Sequence, residues 1–153
     1  MNIVTTIEQY KDECIYFCDP IKNNIIADGR FIRIIYSTPE FVSNGIFLLI
    51  NLQDVTIEKF YNKFKCVFNI TQHKELICEI KVIEEHILKK FKLADKIPQF
   101  KIFDQLKSGC IKIFSDNSKT HGGAFLLKIS GIWETELCYG LTYKFMKVSP
   151  GIQ

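Results

Sequence analysis

The sequence is first informative for what it leaves out. Its longest apolar run, Gly45 to Ile50, falls far short of the roughly 20 residues that a helix needs to cross a bilayer. The opening stretch, MNIVTTIEQYKDEC, carries charges where a secretion signal would be apolar. A soluble, intracellular protein without a membrane partner is expected. Neither G-x-x-x-x-G-K-S/T nor G-x-G-x-x-G occurs, so the usual phosphate loops of nucleotide hydrolases and dinucleotide enzymes are missing. Cys14 and Cys18 form a C-x3-C pair with no second Cys or His pair at a zinc-module interval. The three histidines, His73, His86 and His121, are scattered, and the acidic pairs Glu84-Glu85 and Glu134/Glu136 read as exposed helix and loop charges. Cys110 with His121 is the one thiol and base combination, and no third group orients it. The expectation is a non-enzyme with no cofactor and no metal.

Also missing are internal repeats, low-complexity blocks, a linker and an acidic tail after Ser149. Pro and Ala are scarce while Phe, Ile, Lys and Asn are abundant, a bias that an AT-rich genome writes. What remains is a folded composition: 47% hydrophobic and 24% charged residues over 153 positions, enough for one domain spanning 1–153 with its own core. The six cysteines are spread out and mostly flanked by apolar residues, as buried free thiols are. The net charge of +3 is unevenly distributed: residues 1–58 carry four basic and eight acidic side chains, and residues 59–153 carry sixteen and nine. The second part is therefore a candidate for a polyanion, although a solvated Lys-rich helix surface accounts equally well for the skew.

Along the chain, Ile3, Val4, Ile7 and Tyr10 fit a helical stripe, and Ile15 to Phe17 a short strand. Asp28-Gly29 marks a hairpin between two apolar arms. In the second arm Arg33 shares a face with Phe31, an arrangement suited to base stacking and phosphate pairing, or simply an edge arginine over a core phenylalanine. After a loop over 37–45, IFLLINLQ is apolar on both sides and predicts a central strand. A cap at Asp54 or Thr56 followed by Ile57, Phe60, Tyr61 and Phe64 predicts a helix, and Cys66 to Ile70 a strand. The spacing of Leu76, Ile80, Ile83, Ile87 and Phe91 predicts a long helix, acidic at its start and basic at its end. GCIKIFSD alternates as a strand, and Asp116 to Gly123 has loop composition.

The last segment, Phe125 to Val148, alternates apolar and polar residues in two arms and predicts a hairpin, with the single Trp at the end of the first arm. Gly131 and Gly140 stand at the inner ends of the arms, where a bulge or a close backbone approach is allowed. Ser130-Gly131-Ile132-Trp133 followed by Gly140-Leu141-Thr142-Tyr143-Lys144 resembles the closing hairpin of OB-fold single-stranded-DNA-binding proteins of large DNA viruses, phages and related mobile elements. The resemblance covers this hairpin only. It implies a non-catalytic binder of single-stranded DNA acting in replication, recombination or repair. The loop ETELC departs from the family by placing two glutamates near the expected strand path.

A single-strand binder needs aromatic faces for bases and cations for the backbone. The residues expected to supply them are Trp133, Tyr139, Tyr143, Lys128, Lys144 and Lys147 on the hairpin, Lys112 and Phe114 on the preceding strand, and Arg33. Alternation places Tyr143 with Leu141 and Phe145, which warns that it points inward, and Trp133 could equally be core. The expected fold is mainly β with inserted helices, α+β, as an OB-fold-like small barrel. The expected partner is single-stranded DNA, with RNA as the variant and a homo-oligomer allowed. The competing reading is a viral structural or interaction module whose aromatics form a protein interface.

Overall fold

The computed structural model describes residues 3–23, 29–114 and 123–148. In chain order the strands and helices are β1 (Thr5–Thr6), β2 (Ile15–Phe17), β3 (Ile21–Asn23), β4 (Gly29–Ser37), β5 (Val42–Asn44), β6 (Ile46–Asn51), β7 (Thr56–Phe60), β8 (Lys63–Val67), α1 (Lys74–Phe91), β9 (Ile97–Gln99), α2 (Lys101–Lys107), β10 (Cys110–Ile113), β11 (Ala124–Glu134) and β12 (Cys138–Lys147). The chain is thus α+β and mainly β.

β11 is the spine of the larger sheet. It pairs antiparallel with β12 along one side, while on the other side β6 covers its first half and β4 its second. The change of neighbour falls at a bulge between Ile129 and Gly131. Gly45, with φ of 96°, sits at this junction, where an added Cβ would stand 2.9 Å from the Ile129 carbonyl oxygen. β1 extends the sheet beyond β6, and β9 extends it beyond β12, both in parallel pairing. Among the described residues β1 and β9 are unpaired ends, so the sheet is open and not the closed small barrel expected from the run of strands.

A separate antiparallel sheet runs in the order β10-β8-β7. It replaces the helix expected over 56–64. The helical spacing there is fortuitous: Phe64 and Cys66 are buried at period two, while Phe60, beside the turn, and Tyr61, within it, are exposed. β8 also ends at Val67, before the expected Ile70. The segment of Ile3, Val4, Ile7 and Tyr10 forms β1 and turns instead of a helix, with a 3-10 turn at Asp12–Cys14 leading into the expected strand of Ile15 to Phe17. Part of the expected loop over 37–45 is β5. The second arm expected after Asp28-Gly29 is β4, and it pairs with β3, through Lys22 and Arg30, where a turn was expected at Asn23; the first arm, Ile25 to Ala27, and Asp28 lie outside the described residues, as does the loop of Asp116 to Gly122.

α1 closes the core over the inner face of the larger sheet. Ile77, Ile80, Ile83, Ile87 and Leu88 are buried, and Phe91 bridges Phe17 and Tyr139 with ring centroids 5.1 and 6.2 Å away. Its other buried residue is a carboxylate. Glu84, only 1% exposed, accepts the backbone N–H groups of Ile102 (3.0 Å) and Phe103 (2.9 Å), and so caps the start of α2, a short helix with no side-chain cap at its own N-cap, Phe100. Burial raises the Glu84 carboxyl from about 4.5 to about 7, the two N–H groups opposing the shift.

A folded value above the unfolded one means that this group contributes stability below about pH 4.5 that is lost as pH rises through about 7. Glu84→Gln is expected to remove that slope, a differential of up to about 3 kcal/mol between pH 4.5 and 8. Urea midpoints of both proteins across that range check it, and parallel pH profiles would refute it.

Candidate nucleic-acid interface

Alternation along β11 and β12 divides the hairpin into two faces. Phe125, Leu127 and Ile129 face the core, and the bulge then shifts the phase so that Ile132 and Glu134 do. Opposite them on β12 the inward set is Tyr139, Leu141, Tyr143, Phe145 and Lys147. The outward set is Leu126, Lys128 and Trp133 on β11, with Thr142, Lys144 and Met146 on β12. β4 adds Phe31 and Arg33, which are in register with Trp133 and Gly131.

Two glycines give this outer face its form. An added Cβ at Gly140 would lie 2.7 Å from Cζ2 of Trp133, and one at Gly131 would lie 2.7 Å from the tip of the Phe31 ring. The two rings therefore occupy the space above bare backbone on the neighbouring strand and lie against the sheet. Each carries a cation on its outward side: the Lys101 ammonium stands 5.4 Å from the Trp133 ring centroid, and the Arg33 guanidinium 5.9 Å from that of Phe31. Arg33 also donates to Asn44 Oδ1 at 2.9 Å. Lys128 covers the buried Phe47 at 5.5 Å and lies directly across from Lys144. Such a like-charged cross-strand pair costs stability unless an anion lies over it.

Glu134, the nearer of the two loop glutamates, does not face this surface. It is on the inner side, 2% exposed, and takes Arg30 Nη2 at 2.6 Å and Lys96 Nζ at 2.5 Å on one oxygen. Burial alone would raise its carboxyl, but the hydrogen bonds from the two cations outweigh burial and hold it below the usual carboxylate range. Glu136 is exposed in the turn between the strands.

Of the nine expected site residues, Trp133, Lys128, Lys144 and Arg33 meet on the outer face. Tyr139 does not: it is 4% exposed and packs on Phe91, so it offers no face to a base. Tyr143 also points inward. Its hydroxyl donates to Gln105 Oε1 at 2.6 Å, and burial, with the nearby Glu84 and Asp104 carboxylates, pushes it up to about 12. Lys147 is 8% exposed with no hydrogen-bond partner among the described residues, and cannot pair with a phosphate from there. Lys112 and Phe114 are exposed but belong to the smaller sheet. The outer face also holds Phe31 and Lys101 as site residues that sequence reasoning did not select, while Phe47 lies buried beneath Lys128. Only Phe31 had a signal, its shared face with Arg33; Lys101 is brought over Trp133 by a helix that sequence periodicity did not predict.

The other candidate chemistry is not assembled among the described residues. His121 lies outside the described residues, so the Cys110 and His121 pairing gains no support. His73 is a buried structural group, accepting Gln53 N–H at Nε2 (2.8 Å) and donating from Nδ1 to the Asn69 carbonyl (2.7 Å). No described helix is long and apolar enough to cross a membrane. Compared with protein-family models, curated proteins and solved structures, the chain matches none of them.

Gly131→Ala is expected to cost about 1–3 kcal/mol, because its Cβ would collide with the Ile32 carbonyl as well as the Phe31 ring. Gly140→Ala meets chiefly the Trp133 ring, which can tilt away, so its cost should be smaller and its signature a shift in Trp133 emission. Urea denaturation and fluorescence of the two variants test this ordering.

Proposed function

We propose that this chain is a non-catalytic single-stranded-DNA-binding protein whose interface is the outer face of the larger sheet, serving replication or recombination of viral or mobile-element DNA. The observation that carries the reading is the pair of rings, Phe31 and Trp133, laid on glycine backbone beneath displaceable cations. A base stacks on such a ring while the cation moves to the adjoining phosphate, and Lys128 and Lys144 provide further backbone contacts. The arrangement reads no base edges, which suits binding without sequence preference. The likeness of the closing hairpin to OB-fold binders agrees with this role; the open sheet is a departure from their barrel.

A second reading, a protein-interaction module, is favoured by one observation. The same outer face continues onto β2, β3 and β5 with Tyr16, Ile21 and Val42 exposed by 57%, 55% and 68%. An apolar extension of that kind suits a partner protein better than a polyanion.

Oligo-dT should quench Trp133 fluorescence, with weaker binding at high salt and much weaker binding of an equal-length duplex. Trp133→Ala should lose about 1–3 kcal/mol of affinity. Lys128→Ala and Lys144→Ala should each lower the salt slope by about 0.7. Absence of both quenching and a mobility shift, together with a salt-insensitive complex with a protein, would move the assignment to the second reading.

A further inference from the structure

The smaller sheet repeats the chemistry of the larger one. On its outer side Lys65 of β8 lies directly across from Lys112 of β10, the same like-charged pairing as Lys128 with Lys144. Lys63 stands 5.3 Å from the Phe114 ring centroid, again an aromatic with a cation over it. At the tip of the β7-β8 turn, Phe60 and Tyr61 meet edge to face with centroids 4.7 Å apart. The three rings are 62%, 83% and 61% exposed for Phe60, Tyr61 and Phe114.

Two local rules are broken here without a return in the fold. Tyr61 takes φ of 57° at the first central position of a two-residue turn, where Gly, Asn or Asp is the usual choice. Three large rings are left in water beside Lys63, Lys65 and Lys112. The acidic residue on the same ladder, Glu58, opposes Lys65 but forms no ion pair with it. Strain and exposed apolar area concentrated at one place point to a ligand, and the charge selects a polyanion.

We propose that β7, β8 and β10 form a second stacking platform, and that one single strand of nucleic acid of sufficient length occupies both sheets. This rests on the reading above for the nature of the ligand. The path between the platforms is a groove of about 450 Å³ along the edge of β12, with Lys101, the cation over Trp133, and Lys112 among its lining residues. Gln99, Gln105 and Ser108 line it between them, and Asp104 is its acidic member. An anionic membrane surface fits less well, because the lysines are interleaved with the rings along the ladder instead of forming a collar beneath an apolar tip.

The test compares oligo-dT of about 6 and about 16 nucleotides on the full chain, the Phe60→Ala/Tyr61→Ala variant and the Lys65→Ala/Lys112→Ala variant. The unaltered chain should bind the longer strand at least about a hundredfold more tightly than the shorter, beyond the roughly tenfold that extra registers on one platform supply. Both variants should keep the short-strand affinity and its Trp133 quenching, and lose most of the gain with length. A gain that survives in both variants would overturn the proposal. So would vesicles of phosphatidylserine and phosphatidylcholine that sediment with the unaltered chain but not with Phe60→Ala/Tyr61→Ala, the length gain being intact. If neither strand quenches Trp133 while long-strand binding still depends on Phe60 and Tyr61, the larger-sheet assignment fails and the second platform stands alone.

Discussion

The contact of two aromatic rings with bare backbone governs the larger sheet. Phe31 over Gly131 and Trp133 over Gly140 fill space that any side chain at either glycine would claim. The first contact locks β4 to β11, and the second locks β11 to β12, so both help to define the register of the three central strands. Because the rings rest on the sheet, their second faces are turned outward, which is the geometry that stacking requires. Packing and binding thus draw on one feature, and a residue at either glycine that spoiled the first would spoil the second.

Charge is sorted between the two faces by the same alternation. On the inner side the buried Glu134 takes the half-exposed Arg30 and the partly buried Lys96, and this ties β4, β11 and the segment before β9 together. A buried carboxylate held by two cations contributes little net stability, but removing both cations would leave a costly buried charge. Among the described residues the cations on the outer side have no such partners. Lys128 and Lys144 face each other, and Lys101 and Arg33 stand over rings. Enclosing the acidic residue and leaving the lysines outward produces a positive surface on a chain whose net charge is only +3.

Periodicity was legible where one period persisted. β12, β4 and α1 each keep one spacing for many residues, and they, the unbroken apolar run of β6 and the first half of β11 stand where the pattern indicates. The segment from Ile57 to Phe64 mimics a helix, because its four apolar residues satisfy a helical template while the turn at Tyr61 and Asn62 lacks the glycine that usually announces one. α2 spans only Lys101–Lys107, too short for its period to stand out. The site was half legible for a more specific reason. The alternation begun by Phe125, Leu127 and Ile129, if unbroken, would bring Trp133 inward; the bulge after Ile129 reverses it. A glycine in a strand pattern signals that a bulge is allowed, but not that one occurs, so Trp133 could be named without its side of the sheet being known. Tyr143 and Lys147 needed no such correction, since β12 keeps its phase and carries both inward.

Lys101 could not be placed from sequence because its position is set at a distance. It reaches Trp133 from the first turn of α2, and that turn is fixed by the Glu84 carboxylate of α1 through Ile102 and Phe103. The same helix holds Gln105 against the Tyr143 hydroxyl, so its seating also shapes the groove between the two sheets. An ionised carboxylate is the better acceptor for two N–H groups at a helix start, yet burial opposes its ionisation, and the two effects act on one residue. A neutral apolar side chain at position 84 would relieve the burial but leave both N–H groups without a partner. The buried acid is therefore best understood as what positions the cation on the opposite side of the sheet, linking the core of the fold to the chemistry of its outer face.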